Sequence, residues 1–172
     1  YLSANQIGVL STSQIGALSA TQVAALSASH IGALDNTQIG ALSTTQVMAI
    51  TASQIVSFNG DQISSFSGSQ IAVINNAPLL ALTNLQLASL TVSQIGSLTT
   101  AQVASLKVSQ IAAFSSDQLA TFSANQIAAL TNSQISTLGT SQIAMLTQSQ
   151  VAALTTGQVS NLKASQLAVL TA

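Results

Sequence analysis

Leu18-Ser19-Ala20-Thr21-Gln22-Val23-Ala24-Ala25 is one of twenty-one consecutive octads that run from Leu2 to Val169 without insertion or deletion, followed by a partial copy, Leu170-Thr171-Ala172. Position one of the octad is always Leu, Ile or Phe, and position six is always Ile, Val or Leu. Position five is Gln in nineteen of twenty-one units, the exceptions being His30 and Pro78. Positions seven and eight are mostly Ala, Gly or Ser. A unit this short has no core of its own and must stack on its neighbours, which is the logic of solenoids and fibres.

The period excludes the simplest chain conformations. Eight residues at about 100° each leave a helical pattern about 80° out of phase per unit, so position one would wander around a single long helix. Positions one and six have opposite parity, so a straight strand would point them to opposite faces. Each octad therefore contains a bend. Position two is Ser, Thr, Asp or Asn in eighteen units, with Lys107, Gly139 and Lys163 as the exceptions. These are helix N-cap residues. Gln follows three positions later, completing the capping box, and positions one and six fall at the two sites of the hydrophobic staple. The spacing predicts an all-α solenoid of very short N-capped helices, one per octad. In that register Ser19 is a cap, Ala20 to Leu26 the helix body, and Leu26 also the residue preceding the next cap. Positions one and six form the core, while positions three and four face solvent.

The alternative is a β-solenoid, in which the Gln column forms an amide ladder and the hydroxyls sit in turns. Lysine at two caps and Gly at position seven (Gly8, Gly16, Gly32, Gly40, Gly96) count towards it, as does the instability of isolated short helices. Pro78 counts against it. A ladder would lose an inter-coil hydrogen bond there, whereas the first turn of a helix has no intrahelical use for that N–H.

The run Leu18-Ser-Ala-Thr-Gln-Val-Ala-Ala-Leu26 resembles the opening helix of the plant-pathogen TAL-effector repeat. The resemblance covers nine residues and lacks the base-reading loop, so no DNA-binding function comes with it. Across its whole length the array resembles the octapeptide repeats of large bacterial surface and secreted proteins of adhesin type, which implies an extracellular or cell-surface location and a role in supplying reach.

Residues 2–172 read as a single continuous array. A longer period is superimposed on it: Phe58, Asp61, Phe66 and Lys107 recur 56 residues later as Phe114, Asp117, Phe122 and Lys163, so block 58–113 is echoed by 114–169. Duplication of a seven-octad cassette accounts for this. The structural alternative is that seven octads make one superhelical turn.

Composition narrows the function. Only Asp35, Asp61, Lys107, Asp117 and Lys163 are charged, with no Arg and no Glu, against about a quarter of residues in ordinary domains. Two lysines cannot follow a phosphate backbone, so nucleic acid is not expected as a partner. No apolar run is long enough to span a bilayer, and no leader is visible before Leu2. Absence of Cys excludes disulfides and thiolate metal sites. His30 stands in the Gln column and reads as an imidazole replacing an amide. Asp61 and Asp117 fall in the first helical turn, where a carboxylate suits the helix dipole. No catalytic, cofactor-binding or metal-ligating residue is therefore assigned, and no enzymatic activity or cofactor is expected. The expected function is structural: a stalk, spacer or filament whose partners are further copies of itself, head to tail or side by side, or flanking repeats. Recognition of carbohydrate or ice by a regular Ser/Thr face is the alternative.

Overall fold

The computed structural model describes residues 3–170, so Leu2 at the first position one, together with Thr171 and Ala172 of the partial copy, lies outside the described residues. The described residues form twenty-one α-helices, one per octad, here α1 to α21, and no strand. They range from four residues in α7 (Ala52–Ile55) to seven in α21 (Ala164–Leu170). The all-α expectation holds, and the β-solenoid is excluded for these residues.

Octad three shows how each unit is made. Ser19 is extended (φ −69, ψ 157), and its hydroxyl accepts from the Gln22 N–H at 3.1 Å. Gln22 reciprocates, its Oε1 accepting from the Ser19 N–H at 2.8 Å. One α-type bond, Val23 N–H to the Ser19 carbonyl, and one tighter bond, Leu26 N–H to the Val23 carbonyl, complete the turn. The helix then stops at Ala25. Leu26, expected in the helix body, is extended instead (φ −66, ψ 141), and Ser27 continues extended as the next cap. Two successive extended residues redirect the chain before a longer helix can grow.

Caps without an acceptor side chain keep half of the box. The N–H groups of Lys107, Gly139 and Lys163 still donate to the glutamines three residues on, at 2.9, 2.7 and 2.7 Å. At the two lysines the Gln N–H turns to the cap residue's own carbonyl, at 2.9 Å in both. Lysine at the cap thus removes one hydrogen bond from the box and leaves the helix start in place. Gly at position seven serves no left-handed turn, since no described residue has a positive φ.

The chain divides into two compact units, Tyr1–Ser97 and Leu98–Ala172. Within the first, α1 (Ala4–Gly8) packs on α4 (Ala28–Gly32), α4 on α7, and α7 on α10 (Asn76–Ala81). Within the second, α13 (Thr100–Ser105) packs on α16 (Ala124–Ala129) and α16 on α19 (Gln148–Ala152). Each helix in these series lies against the one three octads on. Glutamine side chains in both units reach back four octads, so a superhelical turn takes between three and four octads. Within either unit, seven successive octads therefore make about two turns rather than one.

Position six is the centre of the core. Ile15, Ile39, Val47, Ile95, Ile127 and Ile135 are completely buried, and position-one residues such as Leu42, Ile50 and Leu130 nearly so. Phe58 and Phe66 take position one in neighbouring octads and meet edge to face, ring centres 5.4 Å apart; Phe114 and Phe122 repeat the arrangement at 5.4 Å. Next to the first pair in the chain, Gly60 and Gly68 at position three allow a close approach. A Cβ on either would collide with the hydroxyl of Ser89 or Ser97, and those hydroxyls are held by the Leu85 and Ser93 carbonyls.

Candidate functional site

The recurring chemistry lies in the glutamine column. Beyond the capping box, buried glutamines extend their amide nitrogens across the turn to backbone carbonyls at the end of the helix four octads earlier. Gln46 Nε2 donates to Ile15 O at 2.7 Å and Leu18 O at 2.8 Å. Gln94 donates to Ile63 and Phe66, both at 2.7 Å, and Gln150 to Leu119 at 2.9 Å and Phe122 at 2.7 Å. In all three the partners stand 31 and 28 residues earlier, at positions six and one of their octads. A helix leaves its last carbonyls without intrahelical donors. The Gln amide supplies those donors from the next turn.

This second task explains why position five is Gln and never Glu. A capping box accepts either residue, because only an oxygen acceptor is needed. A carboxylate offers no donor and would face two carbonyl oxygens in a buried site. Gln46, Gln54, Gln70, Gln94 and Gln134 are all but completely buried, and no buried side-chain polar atom among the described residues lacks a partner. The cap is what the spacing revealed, and the cross-turn bond went unread. The total absence of Glu was the available signal.

Pro78 shows the cross-turn bond being rescued. Proline has neither the amide side chain nor the N–H, and Asn75 accordingly makes no side-chain cap. Its Nδ2 instead donates to Met48 O at 2.7 Å, 27 residues earlier. Met48 belongs to the octad that a glutamine at position 78 would have reached. The donor has moved from position five to position two.

The remaining polar candidates have local roles. His30 accepts the Ser27 N–H at Nδ1, 3.3 Å away, filling the acceptor half of the box. Asp61 and Asp117 lie in the first turns of α8 (Gly60–Ser64) and α15 (Ser116–Ala120). Asp35 caps α5 (Asn36–Gly40); the Thr37 hydroxyl, and then the Gln38 N–H, hold its carboxyl below the ordinary carboxylate range. No group of three or more His, Asp or Glu that could hold a metal occurs among the described residues. None of their helices is long and apolar enough to cross a membrane.

Burial changes at the outermost turns. Position six is fully buried in the first octads (Ile7, Ile15, Val23), while Leu10, Leu18 and Leu26 at position one are only half-buried, and Gln6, Gln14 and Gln22 are exposed. The last three octads reverse this. Val159 and Leu167 at position six are 42% and 40% exposed and Val151 is half-buried, while at position one Leu146 and Leu162 are buried and Leu154 is half-buried. Position one is thus covered by the turn before it and position six by the turn after. An open apolar groove at the last turn is lined by Ile143, Leu146, Val151, Ala152, Val169 and Leu170.

Residues 1–28 match the family model described as the ALTTAQ repeat. The matched stretch holds three octads and the start of a fourth, and supports a repeat protein. Ser97-Leu98-Thr99-Thr100-Ala101-Gln102 spells five of the six letters of that description in the octad register found here. No curated protein and no solved structure matches the chain.

Proposed function

We propose that the chain is a structural array, a stalk, spacer or filament of a bacterial surface or extracellular assembly, and that it carries no enzymatic activity. The observation behind this reading is the glutamine column. The most regular chemistry in the molecule is spent on holding successive turns together rather than on converging at one place. Such a bond adds one identical interface per octad, so length can be set by copy number. A near-neutral surface rich in Ser, Thr and Asn suits lateral neighbours, because little charge repulsion opposes them. The cellular setting is proposed from the resemblance of the octads to the repeats of large bacterial surface proteins.

A carbohydrate- or ice-binding face is the second reading, and position four favours it. That position is exposed in every octad and is Ser or Thr in thirteen of twenty-one. Six such residues follow in succession from Ser13 to Ser53, and Asp61 then interrupts them.

The test compares arrays of increasing octad number by small-angle scattering, with antibody labelling of intact cells. The spacer reading expects the longest dimension to grow in proportion to octad number and the label to reach the array without permeabilisation. A dimension that stops growing, or label only after lysis, overturns it. Ice-recrystallisation and glycan-array assays decide the second reading.

A further inference from the structure

We propose that the Asn59-Gly60 peptide is a self-modifying site, at which the Gly60 backbone nitrogen closes on the Asn59 carboxamide and converts it to aspartate or isoaspartate in the folded chain. This is the one Asn-Gly pair in the sequence, and three features of the fold favour the reaction there. Asn59 is exposed and caps α8. Its Oδ1 accepts the Gln62 N–H at 2.9 Å, which draws electrons from the carboxamide carbon and holds the charge that grows on that oxygen under attack. Its Nδ2, the leaving nitrogen, meets no acceptor among the described residues, and Asn59 lines an open cleft with Asp35, Asn36 and Thr37. The nucleophile is the Gly60 nitrogen. It stands at the first position of the helix, where an N–H has no intrahelical acceptor, and glycine puts no Cβ in its path. With only five residues, α8 opens locally with ease, which allows the backbone rotation that brings nitrogen and carbon together.

The atoms balance with water as the only co-reactant. The Gly60 nitrogen bonds to the Asn59 Cγ, its proton departs with the side-chain nitrogen as ammonia, and a cyclic imide joins the two residues. Water then opens the ring. Cleavage at Cγ leaves aspartate, and cleavage at the former peptide carbon leaves isoaspartate, whose main chain runs through the side chain and is one carbon longer. Asp35 shows that the first product keeps the cap, since its carboxylate accepts the Gln38 N–H at 2.7 Å in the same box. The second product lengthens the path from Phe58 to Gln62, whose amide must reach the Gly32 and Leu34 carbonyls at 3.0 and 2.7 Å. Asn75 supplies the contrast. It too stands at a cap, but it makes no cap bond, its Nδ2 is held by the Met48 carbonyl at 2.7 Å, and Asn76 follows it with a side chain. Glycine is fixed at position 60, because a Cβ there would strike the Ser89 hydroxyl.

The experiment incubates the full chain, shown to be folded by circular dichroism, in mildly alkaline buffer prepared with heavy-oxygen water. Peptide mapping by mass spectrometry then separates isoaspartate from aspartate at each asparagine. The expected result is label at position 59 ahead of every other asparagine, as a mixture of both isomers, with one negative charge added to the net −1. N59S keeps a capping oxygen and should fold without taking up label there. G60A/S89G sets a Cβ beside the nucleophile while removing the hydroxyl it would strike, and should convert at least several-fold more slowly; an unchanged rate in the folded variant overturns the proposal. Label that enters position 59 only after urea has unfolded the chain overturns it, as does a folded chain in which Asn59 reacts no faster than Asn75 or Asn132. Aspartate without isoaspartate would mean direct hydrolysis with no ring, and also overturns it. Each of these results leaves the array reading standing.

Discussion

A primary amide accepts at one atom and donates twice at the next, and Gln94 uses both ends. Its Oε1 takes the Thr91 N–H at 2.8 Å, and its Nε2 bridges to Ile63 and Phe66 a turn away. Glutamate would keep the first bond and invert the second. Gln94→Glu should therefore cost at least about 3 kcal/mol, because a buried charge would be left against two carbonyl oxygens. Gln14→Glu, the same exchange at an exposed site with the same local box, should change stability by less than about 0.5 kcal/mol. Urea denaturation of both variants checks the contrast. Equal effects would mean that position five acts only as a cap. The cap was legible from spacing alone, a Ser or Thr three residues before Gln as in Thr91 and Gln94. The cross-turn bond was hidden, because its partners are backbone carbonyls, which carry no sequence letter.

At the scale of one helix, the array's irregular member is the most instructive. In α10, Pro78 removes both functions of the glutamine, and Asn75 gives up its cap to restore one of them. Asn75→Ala should cost about 1 kcal/mol in the otherwise unchanged chain, the typical net worth of one hydrogen bond. In a Pro78→Gln background the restored amide reaches the same end of the earlier helix, and Asn75 is freed to cap. Asn75→Ser, which keeps a capping oxygen and removes the amide donor, should then cost almost nothing, whereas in the Pro78 chain it costs about as much as Asn75→Ala, giving a non-zero coupling energy in the double-mutant cycle. Strict additivity would refute the substitution of one donor for the other. The helix register was readable from capping residues alone, because N-cap and N3 chemistry is local. The helix end at Leu26 was not: an extended residue after the last helical bond leaves no mark in a sequence where Leu fits either conformation.

For the whole molecule the relevant length is the reach of the cross-turn bond. Helices of four to seven residues do not stand alone in water. A fragment of four octads, residues 34–65, contains no pair of octads four apart and keeps a single cross-turn bond, from Gln62 to the Leu34 carbonyl at its very end. Eight octads, residues 34–97, contain four such pairs, three joined by Gln70, Gln86 and Gln94 and one by Asn75. The shorter fragment should be unfolded and the longer one helical by circular dichroism, with a cooperative melt only in the longer. A helical four-octad fragment would show that stacking is dispensable. The turn size itself was not legible, because it depends on the angle at which packed helices cross, and every octad carries the same letters whatever that angle is.

The backbone of the array has a further consequence for how the chain can vary. No described residue occupies a left-handed conformation, so no position is reserved for glycine on conformational grounds, apart from close approaches such as Gly60 and Gly68. Position four points outward in all twenty-one octads and already holds Asn, Ser, Thr, Asp, Ala, Leu and Gly. Leu85 at that position is 82% exposed without being needed by any core contact. The fold is written in columns one, two, five and six, and column four is a blank margin. Peptide tags, charges or reactive groups could be inscribed there at eight-residue intervals, turning the array into a ruler whose markings are independent of the material it is made from.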